Sequence, residues 1–315
     1  MDGVLDLLTD EDNPLAQKLR QHFVITIIPM LNPDGVAVGN YRCSLSGRDL
    51  NRTWDAPSAV HHPEIHAAKA LIMRLQRDNN GVQMFVDLHG HSVKKDNFIF
   101  GYEAGPGGVE TRVLPFLLGE PVLGEVLDDM FSYKKSKFTK GANKDNTGRV
   151  VVCTEVGVGR AYTLEASYCG PTSGALDKCQ FQTSDYRTAG KRLCEGIWRT
   201  LGPETRWREA AVAALKQEHP SADLQGIATP ALSATPEPLT PNEARSSGDD
   251  EQAPTSVAQV HGEVAGVVGE EGMQESAEHS ALAAAAMPVP MCVAVAGAVA
   301  LAAMVAGARW RRGNY

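Results

Sequence analysis

Polar and charged side chains gather in one loop of the sequence, directly after its first apolar run. Residues 47–52 read Gly-Arg-Asp-Leu-Asn-Arg, so the amide of Asn51 stands next to the guanidinium of Arg52, and Arg42 lies shortly before them. Arginine binds a carboxylate through a bidentate fork, and a neighbouring amide adds a further hydrogen bond. Arg42, Asn51 and Arg52 could therefore hold a terminal carboxylate together. The alternative is a solvated loop with ordinary surface ion pairs.

Two histidines follow the next apolar run, in the stretch 87–92, Asp-Leu-His-Gly-His-Ser. A histidine at the end of a strand is well placed to bind a metal through its neutral imidazole. His89 is the candidate ligand, and Asp87 could orient it as a hydrogen-bond partner. The alternative is a hydrogen-bonded histidine in a turn, which is the commoner state of a lone histidine.

A glutamate stands between apolar residues in the stretch 163–167, Thr-Leu-Glu-Ala-Ser. An unpaired carboxylate is costly in a core, but beside a metal it suits a general base that activates water. Glu165 is therefore a candidate catalytic base. The alternative is a strand whose glutamate faces solvent, and the alternation of side chains along a strand favours that alternative.

The elements that must position these residues follow from the apolar pattern. Strands are predicted over residues 22–30, 82–88, 97–102, 148–154 and 161–167. Helices are predicted over residues 63–77, 113–131 and 185–201. This alternation of apolar strands and helices predicts an α/β fold, with a mixed and mostly parallel sheet flanked by helices.

In order and spacing, three segments together resemble the zinc metallocarboxypeptidase family. They are PMLNPDGVAVGNYRCSLSGRDLNRTWD at 29–55, DLHGHS at 87–92, and GRVV followed by TLEASYCGP at 148–171. The likeness is greatest to the cytosolic carboxypeptidase branch, which trims glutamates from tubulin and other acidic protein tails, and it covers about residues 1–200. It implies Zn2+ as cofactor, a cytoplasmic protein, and protein substrates with acidic C-terminal tails, such as tubulin.

The resemblance also implies chemical roles for three residues. His89 matches the third zinc ligand of the family. Glu165 matches the catalytic glutamate, which takes a proton from zinc-activated water and passes it to the leaving amine. Arg42 matches the arginine that polarises the scissile carbonyl and stabilises the oxyanion.

Substrate recognition carries over in the same way. Asn51 and Arg52 match the residues that grip the C-terminal carboxylate of the substrate, and Arg149 lies where the glutamate-trimming branch places a basic residue in its specificity pocket. Lysines of the loop 134–144 could in addition attract an acidic tail over a longer range, or could simply be solvated. They are Lys134, Lys135, Lys137 and Lys140.

The sequence departs from the family in one motif. Members carry an HxxE motif, usually within HPGE, that supplies two zinc ligands, yet no HxxE precedes residue 23. The stretch His61-His62-Pro63-Glu64 has the spacing but follows the Asn51-Arg52 loop, which is the wrong order. A catalytic zinc takes three protein ligands. Either the sequence is shortened at its N-terminus, which the other intact positions favour, or the protein is an inactive module that binds acidic C-terminal tails.

Composition divides the sequence into three predicted parts. Residues 1–202 are expected to form a catalytic domain that lacks its HxxE segment. Residues 203–286 hold 14 acidic and 4 basic residues, which more than accounts for the net charge of −8. They read as acidic, low-complexity and disordered, apart from a helix starting over 207–217. Residues 287–315 contain an uncharged run at 291–308, interpreted either as a membrane tether or as an alanine-rich low-complexity end. No basic stripe stands out, so a nucleic-acid partner is not expected, and six cysteines without a CxxC pair indicate a reduced, intracellular protein.

Overall fold

Five strands form one mixed sheet in the order β1-β5-β2-β4-β3. The computed structural model describes residues 1–78, 81–104, 108–174, 176–177, 179–218 and 291–297. The strands are β1 (Phe23–Ile28), β2 (Val82–His91), β3 (Phe98–Phe100), β4 (Ala161–Ser167) and β5 (Met291–Gly297). Strands β1, β5, β2 and β4 run parallel, whereas β3 pairs antiparallel with β4. The predicted mixed, mostly parallel sheet is confirmed.

Helices cover both faces of this sheet. They are α1 (Asp2–Leu8), α2 (Pro14–His22), α3 (Pro33–Val38), α4 (Pro63–Asp78), α5 (Val113–Gly119), α6 (Gly148–Thr154), α7 (Thr183–Leu201) and α8 (Arg206–Glu218). Short 3-10 turns lie at Leu50–Arg52, Gly108–Arg112 and Tyr133–Lys135. The predicted helices at 63–77, 185–201 and 207–217 correspond to α4, α7 and α8, and α3 occupies part of what was expected to be loop.

Strand β2 shows how the sheet divides the core into two layers. Met84 and Val86 point to one face and pack in a cluster with Leu193 of α7, while Phe85 points to the other face and packs with Trp54. This alternation is the period of two that a strand imposes on its side chains. Because both faces are buried, β2 is held rigidly, and its carboxyl end is the natural place for a precise site.

The segment Gly148–Thr154 is a helix, so the predicted strand there is wrong. Its run of β-branched valines favours a strand locally. In the folded chain all residues from Gly148 to Cys153 are buried, and a helix that is apolar all round fits a buried position. Gly148 also lets the helix approach Trp54, because a Cβ there would lie 3.0 Å from the indole ring. Tertiary packing has therefore overridden the local preference.

The predicted helix over 113–131 is also too long. Helix α5 ends at Gly119, one residue before the Glu120-Pro121 pair, and Pro121 cannot donate the backbone hydrogen bond that would continue it. The chain then turns through Leu123 and Gly124, both with positive φ angles of 53° and 82°. Residues 120–131 serve as a connection rather than as further helix.

The C-terminal apolar run begins as a strand of the sheet. Met291–Gly297 forms β5, which lies parallel between β1 and β2, and the Val293 side chain is fully buried. These residues are paired on both sides within the sheet, so they give the alternative of a membrane tether no support. Residues 298–308 of the run, and 219–286 of the acidic segment, lie outside the described residues. No helix in the described ranges is both long and apolar enough to span a membrane.

Candidate active site

The carboxyl ends of β2 and β4 bring two candidate side chains together. The two strands are parallel neighbours, and their register pairs His89 directly with Glu165. Residues at the same register of adjacent strands project to the same face, so the imidazole and the carboxylate stand side by side. Burial raises the pKa of Glu165, and Asp87 adds to the rise, although His89, Arg42 and Arg149 oppose it. Glu165 is thus a half-buried carboxylate with an increased proton affinity.

Asp87 fixes the orientation of His89. Its Oδ2 lies 2.7 Å from Nε2 of the imidazole, and its side chain is almost completely buried. Burial lowers the pKa of His89, but the Asp87 charge and hydrogen bond outweigh that effect, so the net direction is upward. Since Asp87 accepts the proton of Nε2, the lone pair for a metal is left on Nδ1. His91, in contrast, is a hydrogen-bonded histidine in a turn, because its Nδ1 accepts from the backbone N–H groups of Val93 and Lys94.

Asp49 organises the two arginines of the polar loop. Its Oδ2 lies 3.1 Å from Nη1 of Arg42 and 3.9 Å from Nη1 of Arg52. Its Oδ1 accepts from the backbone N–H of Asn51, which caps the 3-10 turn at Leu50–Arg52. One carboxylate therefore neutralises only part of the charge of two guanidinium groups, and the remainder is available to an anion.

The amide of Asn51 is oriented by helix α6. Its Oδ1 accepts from the backbone N–H of Gly148 at 2.8 Å, which satisfies a donor at the start of that helix. Its Nδ2 consequently faces His89, at 3.5 Å from Nε2. With the oxygen occupied, Asn51 presents hydrogen-bond donors to the space beside His89 and Arg52.

Arg149 is a buried cation without an acidic partner among the described residues. It is 7% exposed, its Nε donates to the carbonyl of Gly101 at 3.3 Å, and its guanidinium lies over the ring of Phe100. Burial lowers the pKa of Arg149, Glu165 raises it, and Arg52 lowers it again. A buried charge normally has a counter-charge. Its absence here points to a ligand that supplies one.

One open cavity of about 480 Å³ joins these groups. All six candidate residues line it, although they come from widely separated parts of the chain: Arg42, Asn51, Arg52, His89, Arg149 and Glu165. Five basic side chains and one carboxylate face this space, because Lys137 and Lys144 line it as well. The cavity is therefore suited to an anionic ligand with more than one negative charge.

The described residues do not form a complete metal site. A catalytic zinc takes three protein ligands and keeps one position open. No group of three His, Cys, Asp or Glu side chains within the described ranges is arranged to hold a metal ion. His61 and Glu64 therefore do not join His89, as the order of the motifs indicated. Among the described residues, His89 is the candidate metal ligand, through its Nδ1.

Several residues of the site were not singled out from the sequence. Apart from their polarity, nothing in the sequence pattern indicated Asp49, Lys144 or Asn146. In the structure, Nδ2 of Asn146 donates to the carbonyl of Arg52. Of the four lysines predicted to steer a ligand, only Lys137 lines the cavity. Lys135 and Lys140 are paired with Asp96 and Asp145, respectively. Only the folded loop distinguishes a lysine at the cavity from its neighbours.

Comparison with known proteins shows what this domain is similar to. Residues 4–104 match the family described as zinc carboxypeptidase. Cytosolic carboxypeptidase 4 of Mus musculus is 41% identical over 207 residues, which is 62% of this chain and 18% of the relative. Cytosolic carboxypeptidase 1 of Homo sapiens is 37% identical over 209 residues, 63% of this chain and 17% of the relative. The chain thus spans less than a fifth of the length of these carboxypeptidases.

A solved carboxypeptidase structure supports the fold. The metallo-carboxypeptidase of Burkholderia cenocepacia superposes with a TM-score of 0.54 at 22% sequence identity, covering 63% of this chain and 51% of the other. The sheet with its flanking helices therefore resembles the fold of that metallo-carboxypeptidase. The match of residues 4–104 includes the polar loop and His89, whereas Arg149 and Glu165 lie beyond it.

Proposed function

We propose that this cavity binds the acidic C-terminus of a protein and is the substrate-binding and proton-transfer part of a carboxypeptidase that releases the last residue, glutamate. The observation that carries the proposal is Arg149, a buried cation that borders the cavity without a carboxylate partner in the described chain. The similarity to proteins named cytosolic carboxypeptidases supports a protein substrate in the cytoplasm, such as tubulin.

Each end of the cavity has a separate task in this proposal. Asn51 and Arg52 hold the α-carboxylate of the last residue, because the amide offers donors and the guanidinium is only partly neutralised by Asp49. Arg149 pairs with the side-chain carboxylate. These contacts place the last peptide bond towards His89 and Glu165, and bound orientation of this kind lowers a reaction barrier substantially.

Proton transfer falls to Glu165. Its raised pKa makes it a better proton acceptor than an exposed glutamate, and it has no hydrogen-bond partner among the described residues that would block it. It takes a proton from water that attacks the carbonyl carbon and gives it to the leaving amine. Arg42 stabilises the charge that develops on the carbonyl oxygen. His89 is the residue placed to bind Zn2+, but this part of the chain supplies no second and third ligand.

The cationic and amide groups that line the cavity also support a second candidate function. A module with these anion-binding groups would hold acidic C-terminal tails without cleaving them. Such a protein would use Arg42, Asn51, Arg52 and Arg149, and would not need Glu165 as a base.

The two functions are separated by measuring binding and release on the same variants. Wild type and Glu165→Gln are incubated with a peptide ending in glutamate, with and without added Zn2+, and free glutamate is measured by mass spectrometry. A carboxypeptidase releases glutamate, and the variant binds the peptide but releases none. A binding module binds with both proteins and releases with neither. If neither protein binds the peptide in preference to its C-terminal amide, both functions are rejected.

A further inference from the structure

Lys144 is a second cation of the cavity that neither the family match nor the proposed roles assign. It is half-buried, it lines the cavity, and its Nζ forms no ion pair with any carboxylate of the described chain. The adjacent Lys140 differs in every respect, because it is exposed, pairs with Asp145 and does not line the cavity. Lys137 also lines the cavity but is exposed, so Lys144 is the half-buried one of the two lysines at the cavity.

Hydrogen bonds hold Lys144 beside the groups proposed to bind the last residue. Its carbonyl accepts from the hydroxyl of Thr147 at 2.8 Å and from the N–H of Thr147 at 3.2 Å. Asn146 donates to the carbonyl of Arg52 at 2.9 Å, which ties the same turn to the polar loop. The turn continues directly into α6 and Arg149. Lys144 is thus fixed by its backbone next to both Arg52 and Arg149.

The charges around Lys144 show which side chains it lies near. Burial lowers the pKa of Lys144, and the cations Arg52, Arg42 and Arg149 lower it further, whereas Asp49 raises it. Lys144 therefore lies near these arginines, as the backbone turn that ties residues 144–147 to Arg52 also requires.

The charge balance of the cavity indicates what Lys144 binds. Arg42 and Arg52 share Asp49, so one positive charge of that group remains. Arg149, Lys144 and Lys137 add one each, and Glu165 is the one carboxylate among the residues that line the cavity. A C-terminal residue with one carboxylate leaves this excess partly uncompensated, whereas a residue with two carboxylates offsets it more fully.

We infer that Lys144 is a specificity-determining residue that binds the side-chain carboxylate of the C-terminal residue together with Arg149. The carboxylate lies between a buried planar guanidinium and a more mobile ammonium at the side of the cavity. The guanidinium fixes its position, and the ammonium can follow side chains of slightly different length. This inference rests on the proposed function and adds a second residue to the recognition of the acidic side chain.

The test is a double-mutant cycle that compares the binding affinities of two protein variants for two peptides. The peptides differ only in their last residue. Peptides ending in glutamate and in its neutral isostere glutamine are titrated by calorimetry into the full chain, as wild type and Lys144→Met. The variant should bind the glutamate peptide about 5- to 20-fold more weakly and the glutamine peptide within about twofold of wild type. Lys140→Met is the matched control, and should bind both peptides like wild type.

Three outcomes overturn the inference. Equal losses for both peptides would show that Lys144 binds the α-carboxylate. A second pair of peptides carries glutamate or glutamine at the penultimate position. If Lys144→Met weakens binding only when that position is glutamate, Lys144 binds the penultimate side chain instead. No loss for either peptide would show that it binds neither. The proposed function fails separately, if wild type does not distinguish the two peptides and Arg149→Met changes nothing.

Discussion

Replacing Arg149 by methionine separates two roles that a buried cation can have, stabilising the fold or binding a ligand. Arg149 is 7% exposed, and its guanidinium donates one hydrogen bond within the described chain, from Nε to the carbonyl of Gly101 at 3.3 Å. It forms no ion pair within the described chain. The methionine side chain reaches as far as Nε and has no charge, so Arg149→Met removes the charged end and keeps the packing of the aliphatic stem.

The loss of affinity is large if Arg149 pairs with an acidic side chain. Two unit charges about 4 Å apart attract each other by about 4 kcal/mol at an effective dielectric constant of ~20. Desolvation of the incoming carboxylate offsets part of that attraction. A net loss of about 2–4 kcal/mol remains, and it corresponds to roughly 30- to 1,000-fold weaker binding of a peptide ending in glutamate.

The free energy of unfolding should change little in the same variant. Arg149→Met loses a hydrogen bond, about 1 kcal/mol, and a contact over Phe100, about 0.5–1 kcal/mol. It also removes a poorly solvated charge whose burial costs a few kcal/mol, reduced here because the group borders an open cavity. These effects nearly cancel, so we expect a stability within about 1 kcal/mol of wild type.

Calorimetric titration with peptides ending in glutamate and glutamine measures the affinity, and urea unfolding measures the stability. Arg149→Lys is the control, because it keeps the charge and should retain part of the preference for glutamate. The reasoning is refuted if Arg149→Met lowers both affinities equally. It is also refuted if the variant loses more than about 2 kcal/mol of stability, which would make Arg149 a structural residue.

Three further predictions concern the scaffold. Gly3→Ala should lower the free energy of unfolding by about 2–3 kcal/mol, measured in urea. A Cβ at residue 3 would lie 1.9 Å from the carbonyl oxygen of Arg187 and would push α1 away from α7. An unchanged stability would contradict this packing. Burial raises the pKa of Asp128 to about 6, so the folded state binds this proton more tightly and the free energy of unfolding falls as pH rises from about 4 to 6. Asp128→Asn should remove that fall, adding about 2–3 kcal/mol at pH 7 and nothing at pH 4; an equal gain at both pH values would exclude this cause. Val293→Asp should destabilise the protein by several kcal/mol if β5 is a strand of the sheet, and should leave urea unfolding unchanged if that segment lies elsewhere.

Much of the secondary structure could be predicted from the sequence, and the exceptions share a cause. The strand over 161–167 and helix α4 were predicted correctly. Helix α4 buries Ile65, Ala68 and Ile72 at helical spacing, and 161–167 is a short, largely buried run of the kind found in parallel sheets. The valines of Gly148–Thr154 favour a strand, yet the segment is a helix because it is buried on all sides between the sheet and Trp54. The free-energy differences in local propensity are too small to decide between helix and strand for a segment that is buried by tertiary packing.

The candidate residues of the site were named partly from motifs and partly from a resemblance. Polar groups after apolar runs indicated Asn51, Arg52 and His89, whereas Arg149 came from the resemblance alone. All six candidates line one cavity, and their roles stay predictions. Asp49 and Lys144 could not be found in this way. A single acidic or basic residue in a polar loop has no pattern of its own, and its partners are distant in the sequence.

The sequence by itself determined the residue types of the site, their order along the chain and the strands that end in them. Only the tertiary structure decided that His89 pairs with Glu165 and that two arginines share Asp49. It also decided that Arg149 is buried with no carboxylate partner among the described residues. The physical reason is the range of the interactions. Strand and helix periods are written in neighbouring residues, whereas register, burial and charge pairing join residues that come close only when the chain folds.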